Sequence, residues 1–393
     1  MKPRILLAWE SGAGRGHLVT LKTVAAALGP DFIYDAALCR MDHAAEIAPL
    51  CDLVFPAACL YYDQAGVRGP GGTRTATWGE YLGDSGFRDP AFLTRQVRWW
   101  QDVLAARSTD LLVGDYAPCA LMAAYSMSIP AVIVGTGYGI PPPRLPEFPV
   151  FLPEFSHRLY DEAEMLTLIN QAVVPLGVPP LDHLSDIYRR SGELVRTLDM
   201  LDPYQGQREQ PLLPPVADVS RLMASDGDEI FVYFSTSELE DEAVLGAITT
   251  LGLPIRAFCP GLGPSAATRL TAAGVLLETA PVPVDLLVRR SRLIINAGQH
   301  GILCLGLAAG LPQICIPQHL EQLYHARRAE AAGVAQVATI HDRTAPILRQ
   351  MIQNAYVDGR LASAARKSAE ALQPQFAVRP EAVIRARLTS LLR

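Results

Sequence analysis

Residues 293–334, LIINAGQHGILCLGLAAGLPQICIPQHLEQLYHARRAEAAGV, hold two apolar runs of strand length, each followed by a helical pattern. The first run, 293–295, turns through Asn296-Ala297-Gly298, and the spacing then predicts a helix over 301–309. That helix stops at Gly310, where glycine suits a left-handed C-cap. A second strand, 313–316, ends at Pro317 and leads into a helix from Glu321 that Gly333 closes. The stretch is therefore a strand-helix-strand-helix unit, and the chain reads as α/β. Its glycine-bearing first turn sets free backbone N–H groups at a helix N-terminus, which suits an anion.

Composition narrows the class. A chain of 393 residues is too long for one core and implies two or at most three domains. Half of it is hydrophobic and 19% is charged, which marks a core-rich globular protein rather than a disordered one. A net charge of -6 argues against nucleic acid or an anionic membrane as partner. Two uncharged runs, 116–143 and 293–320, are broken by Pro and Gly and carry polar residues, so buried α/β units are expected there instead of transmembrane segments. Lys2 and Arg4 lead directly into a short strand with no long apolar stretch, unlike a secretory signal. The seven cysteines show neither a CxxC pair nor metal-ligand spacing, which fits a reducing cytoplasm and inert thiols, and no metal site is expected.

The N-terminus repeats the β-loop-α pattern. Residues 5–9 form an apolar strand, and Glu10-Ser11-Gly12-Ala13-Gly14-Arg15-Gly16-His17 is a glycine-rich turn. Leu18, Leu21, Val24, Ala25 and Leu28 then recur at helical spacing until Gly29-Pro30. In an open α/β domain, ligand groups gather at this carboxyl end of the strand. The dinucleotide fingerprint G-x-G-x-x-G fails, because its third glycine falls on His17, and this disfavours a nucleotide-dependent dehydrogenase.

The segment 297–326 resembles the donor-sugar signature of nucleotide-sugar glycosyltransferases of the UDP-glycosyltransferase kind, written H-G-G-x-G-T, then E-A-L-x-x-G-x-P, then D/E-Q-x-x-N-A. The matching positions are Ala297-Gly298-Gln299-His300-Gly301-Ile302, then Leu305-Gly306-Leu307 with Gly310 and Pro312, then Glu321-Gln322 and His325-Ala326, with the spacing kept throughout. The resemblance implies that the first turn binds the donor diphosphate and that Glu321 and Gln322 hold the sugar hydroxyls. Gly298, Gly301, Glu321 and Gln322 match in type. Ala297 stands for the diphosphate-binding His, Gln299 for Gly, Ile302 for Thr and Leu305 for Glu, while His300 brings an imidazole into the first helical turn.

Other segments carry the same resemblance. Gly12 to His17 is similar to the family's G-x-x-x-G-H turn, in which the His is the general base for the acceptor hydroxyl. Asp115, after the strand 111–114 and before the helical run 119–125, matches the Asp that orients that base. Parallel topology can bring the two together. The competing readings are a His17 bonded to local backbone at a helix start and an Asp115 that is an N-cap. The Ser235-Thr236-Ser237 loop after strand 230–234 resembles the loop that faces the donor phosphates. Residues 280–287 resemble the turn whose main chain, here at Val282, pairs with the nucleotide base.

Elsewhere the sequence organises the chain more than it assigns chemistry. Residues 57–86 show no clear element, 88–104 are helical, and 135–155 form a proline-rich aromatic loop, either an acceptor wall or a packed structural loop. Residues 162–176 read as helix and 179–201 as mixed helix and turn. Asp226-Gly227-Asp228 spells a metal motif of another glycosyltransferase fold, but it precedes a strand and reads as a solvated turn. Strands are expected at 255–258 and 275–277, and helices at 345–356, 362–372 and 380–392.

Together these readings imply a GT-B protein of two Rossmann-like domains facing across a central cleft. The expected divisions are an acceptor domain at 1–205, a linker at 206–225, a nucleotide-sugar domain at 226–375, and a last helix at 376–393 that packs back on the first domain. The implied activity is inverting, metal-independent hexosyl transfer in the cytoplasm, as in bacterial natural-product glycosyltransferases. The sugar moves from a UDP- or TDP-sugar to the hydroxyl of a small, lipophilic acceptor, with the nucleotide sugar as co-substrate and no other cofactor. His17 and Asp115 would be catalytic. Ser235, Thr236, Val282, Gly298, Gln299, His300, Gly301, Glu321 and Gln322 would hold the donor. The alternatives are a non-catalytic binding protein with an altered diphosphate site, and a nucleotide-sugar epimerase.

Overall fold

Unbroken apolar runs suit strands covered on both faces, which is the situation of a parallel sheet between helices. The computed structural model describes residues 2–12, 14–60, 74–155, 157–215, 223–224 and 226–392, and contains two such sheets. The first comprises β1 (Arg4–Trp9), β2 (Ile33–Leu38), β3 (Leu53–Pro56), β4 (Leu111–Asp115), β5 (Ala131–Gly135) and β6 (Ser191–Val195). Their order is β3-β2-β1-β4-β5-β6, and every pairing is parallel. The central β4 and β5 are buried along their whole length. The accompanying helices are α1 (Gly16–Leu28), α2 (Trp78–Leu82), α3 (Pro90–Ala106), α4 (Pro118–Ser126) and α5 (Glu162–Val173). Leu18, Leu21, Val24 and Leu28 of α1 pack on Ile5, Leu7, Leu111 and Val113 of the sheet, as the helical spacing predicts.

The second sheet comprises β7 (Glu229–Tyr233), β8 (Ile255–Phe258), β9 (Leu276–Glu278), β10 (Ser291–Asn296), β11 (Gln313–Cys315) and β12 (Ala335–Val337). Its order, β12-β11-β10-β7-β8-β9, is the first sheet's order over again, all parallel. Its helices are α6 (Glu242–Thr249), α7 (Pro264–Ala272), α8 (Val284–Arg290), α9 (His300–Ala309), α10 (Leu320–Ala331), α11 (Ala345–Val357) and α12 (Gly359–Phe376). Gly310 takes the left-handed conformation at the end of α9, at φ 72° and ψ 31°. A last helix, α13 (Pro380–Ser390), lies on the first sheet's core through Ile384 and Leu388.

The chain divides into two compact units. One carries Thr75–Leu213 with the N-terminal segment and the C-terminal residues from Arg379, and the other carries Pro214–Val378. In each, the strand order reverses beside the first strand, between β1 and β4 and between β7 and β10. Such switch points are where open α/β sheets bind ligands, at the strands' carboxyl ends.

Several elements differ from the sequence reading. Residues 191–195, expected within a stretch of helix and turn, form the edge strand β6; only Leu194 and Val195 are buried, too few to announce a strand. Strands β3 and β12 are short or half-exposed and give no clear signal, whereas β2 is buried over five of its six residues but is interrupted by the buried Asp35. Of the stretch expected as a linker, Arg208 is buried on the first unit and Leu213 pairs with Arg196, whereas 216–222 and 225 lie outside the described residues. The expected irregular region 57–86 includes α2, and its residues 61–73 also lie outside the description. Among the described residues, no helix is long and apolar enough to cross a membrane. The uncharged runs fold as α4 with β5 and as β10, α9 and β11.

Candidate functional site

At the carboxyl ends of β1 and β4, register sets Trp9 beside Asp115. The turn after β1 returns His17 in the first turn of α1, where its Nδ1 lies 3.0 Å from Asp115 Oδ1. His17 keeps 16% of its side chain exposed and Asp115 only 3%, so the ring is the accessible partner of a buried carboxylate. That bond assigns the proton to Nδ1 and leaves Nε2 as the basic nitrogen. Asp115 is no N-cap, because α4 has Ala117 in that place with no side-chain cap bond. Two further features fix the imidazole. Trp9 stacks on it at 5.1 Å between ring centroids, and Tyr116 covers it at 4.7 Å. Tyr116 reaches there with φ at 46°, a backbone conformation that side chains disfavour by about 1–2 kcal/mol. Gly12, at φ 94°, lies so close that a Cβ there would sit 2.4 Å from Nε2.

The first N–H groups of α4 are taken by a residue that the sequence reading passed over. Glu10, wholly buried, accepts from Cys119 N at 3.0 Å and from Ala120 N at 2.5 Å. It ties the loop that carries His17 to the segment that follows Asp115. Burial pushes its carboxyl up to about 8, although the two N–H bonds pull it down. Its only trace in the sequence is an acid directly after a buried apolar strand.

Beside the dyad stands an aromatic wall. Trp78 stacks on Tyr81 at 4.7 Å, meets Tyr116 edge-on at 5.0 Å, and donates Nε1–H to Tyr188 Oη at 2.8 Å. The proline-rich loop after β5 turns inward: Tyr138 packs between Trp78 and Phe151, and Arg208 donates to the carbonyls of Gly137 and Ile140 while paired with Asp202. The loop is thus a packed support of this wall. Arg208 has no local pattern that reveals the role.

In the second unit, Asn296 of β10 pairs in register with Tyr233 of β7, so the loops that follow meet. Gln299 Nε2 donates to Glu238 Oε1 at 2.9 Å and reaches Ser235 Oγ at 3.4 Å, while its Oε1 accepts from Ala297 N at 2.8 Å. Thr236 N donates to the other oxygen of Glu238 at 2.9 Å. Gly298, at φ 84°, packs so tightly on the Gln322 carbonyl that a Cβ would come within 2.5 Å of it. Gln322 is buried and Glu321 half-buried in the first turn of α10. His300 opens α9 with its ring against His325 at 5.0 Å, and Gly301 beside it is exposed. Burial holds His325 neutral, well below the usual histidine range. Ser235, Gln299, Gly298 and Gln322 are therefore gathered at the β7–β10 switch point. Val282 lies beyond β9, half-buried in an otherwise exposed turn before α8, and shares none of these bonds. The Asp226-Gly227-Asp228 turn has the Asp226 side chain fully in solvent, at 103% relative exposure.

No family model matches the sequence, and no curated protein matches it. Solved structures do match along the whole chain. The calicheamicin glycosyltransferase CalG4 superposes with a TM-score of 0.65 at 13% identity, over 100% of this chain and 98% of that one. The spinosyn rhamnosyltransferase SpnG, solved with thymidine diphosphate, gives 0.61 at 16% identity over 98% and 100%, and the same enzyme with spinosyn aglycone gives 0.62 at 16% over 97% and 99%. The glycosyltransferase SnogD from Streptomyces nogalater gives 0.62 at 16% over the full length of both chains. With its two parallel sheets of the same strand order, this chain has the GT-B fold of those natural-product glycosyltransferases.

Proposed function

We propose that this protein is an inverting, metal-independent glycosyltransferase that moves a sugar from a nucleoside diphosphate to a hydroxyl of a small, lipophilic acceptor. The observation that carries the reading is the 3.0 Å bond between His17 Nδ1 and a nearly buried Asp115 at the first unit's switch point. A binding module has no need of an oriented base. In the proposed reaction the acceptor O–H gives its proton to His17 Nε2 while its oxygen attacks the anomeric carbon. The bond from that carbon to the diphosphate oxygen breaks with inversion, and the nucleoside diphosphate departs. Asp115 holds the tautomer and stabilises the imidazolium that forms. The wall of Trp78, Tyr81 and Tyr116 supports an apolar acceptor, and the similar SpnG was solved with a spinosyn aglycone. Thymidine diphosphate in that same enzyme supports a TDP-sugar as the first donor to test.

Donor binding is measured by thermal unfolding against UDP-, TDP- and GDP-sugars. The expected outcome is a concentration-dependent rise with one nucleotide class, reduced in Glu321→Ala, since a ligand that binds only the native state adds stability by mass action. No rise with any donor would remove this reading and leave the second one, a ligand-binding protein of the same fold. What favours that alternative is Glu238, a carboxylate set among the groups expected to meet phosphate.

A further inference from the structure

The loops at the β7–β10 switch point contain donors that an anion would use, and three of them are already engaged. The N–H of Thr236 and the amide of Gln299 both end on the Glu238 carboxylate, and the N–H of Ala297 ends on the Gln299 carbonyl oxygen. Glu238 has no solvent exposure, and among the described residues no Lys or Arg pairs with it. A carboxylate that accepts two N–H bonds presents the same chemistry as two phosphate oxygens. A diphosphate brought to the same donors would meet like charge in a place shielded from water, where repulsion is strong.

We propose that Glu238 occupies the diphosphate position of this loop as a built-in anion, and that it must swing out before a nucleoside diphosphate can bind. Resting on the donor reading above, this makes Glu238 the residue that sets how tightly the donor is held. Gln299 acts with it: once Glu238 leaves, the Gln299 amide and Thr236 N–H pass to the ligand's phosphate oxygens. The sugar and base of the donor lie outside this exchange, so a nucleoside without phosphates is indifferent to the carboxylate.

The test is calorimetric titration of thymidine and uridine diphosphates, with thymidine and uridine as controls, into the full chain and its Glu238→Gln form. The expected result is a dissociation constant at least tenfold lower for a diphosphate in Glu238→Gln, with nucleoside affinity within twofold of the original. Glu238→Ser, which keeps an acceptor for Thr236 N–H without the charge, is expected to show the same tightening if the amide variant fails to fold. Diphosphate affinity that is equal or weaker in the substituted protein overturns the inference and leaves the donor reading intact. No binding of any nucleotide to any form overturns both.

Discussion

At the β1–β4 switch point a buried carboxylate, Asp115, orients an accessible ring, and a second buried acid, Glu10, is spent on the N–H groups of α4. At the β7–β10 switch point one buried acid, Glu238, is bonded instead to the loop groups suited to a ligand. Both acids follow the first strand of their sheet, and both reach across to the segment after the neighbouring fourth strand. The two sheets have the same strand order, so topology decides where such a residue stands, but not what it does. In the first unit the acid stiffens the frame around His17. In the second it holds the Thr236 N–H and the Gln299 amide.

The sharpest way to break this contrast is His17→Ala. A positioned general base contributes about 10²–10⁴-fold, so product formation is expected to fall by about a thousandfold with donor affinity unchanged. A fall of less than tenfold would leave the first switch point without its base and erase the difference between the units. Asp115→Asn should cost less, about a hundredfold in kcat with little change in KM, because the ring remains but its imidazolium is no longer stabilised. If KM moves and kcat does not, Asp115 shapes the acceptor site and does not serve the base.

Glu10→Gln offers the smallest effect and separates frame from chemistry. With its carboxyl raised from 4.5 to about 8, Glu10 folds in the neutral form. That stability is complete below about pH 4.5 and is lost as pH rises through about 8, because the unfolded chain releases its proton first. The loss is at most on the order of 5 kcal/mol. Glutamine mimics the neutral acid, so melting temperature plotted against pH should flatten across that window. An unchanged slope would mean that another group carries it.

Much of the fold is legible from residue pattern, because β1, β4, β5 and β10 are long enough and apolar enough to read as buried strands. The glycines that end α1, α9 and α10 mark their limits equally well. Among the edge strands β9 is read, but β6 escapes: it begins Ser191-Gly192-Glu193, and half-burial leaves no periodicity to detect. In the site, His17 and Asp115 stand out because one closes the glycine-rich turn after β1, the other ends β4, and each carries chemistry uncommon in a core. Glu10, Glu238 and Arg208 remain hidden, since each binds a group from elsewhere in the chain and only the folded arrangement defines them. The packing of the 135–155 loop is equally non-local: its prolines exclude helix, but Trp78 and Tyr204 decide which way its aromatic rings face.

The glycine-rich turn has a consequence for anyone who would redesign this protein. At position 12 every other amino acid places a carbon against the imidazole and also strains the backbone, so a library built there returns only losses. At position 16, by contrast, an added Cβ meets nothing within 4 Å, and the residue begins a helix. A saturation map of the turn would show a closed position and an open one four residues apart, and the open one is where a new side chain can be grafted.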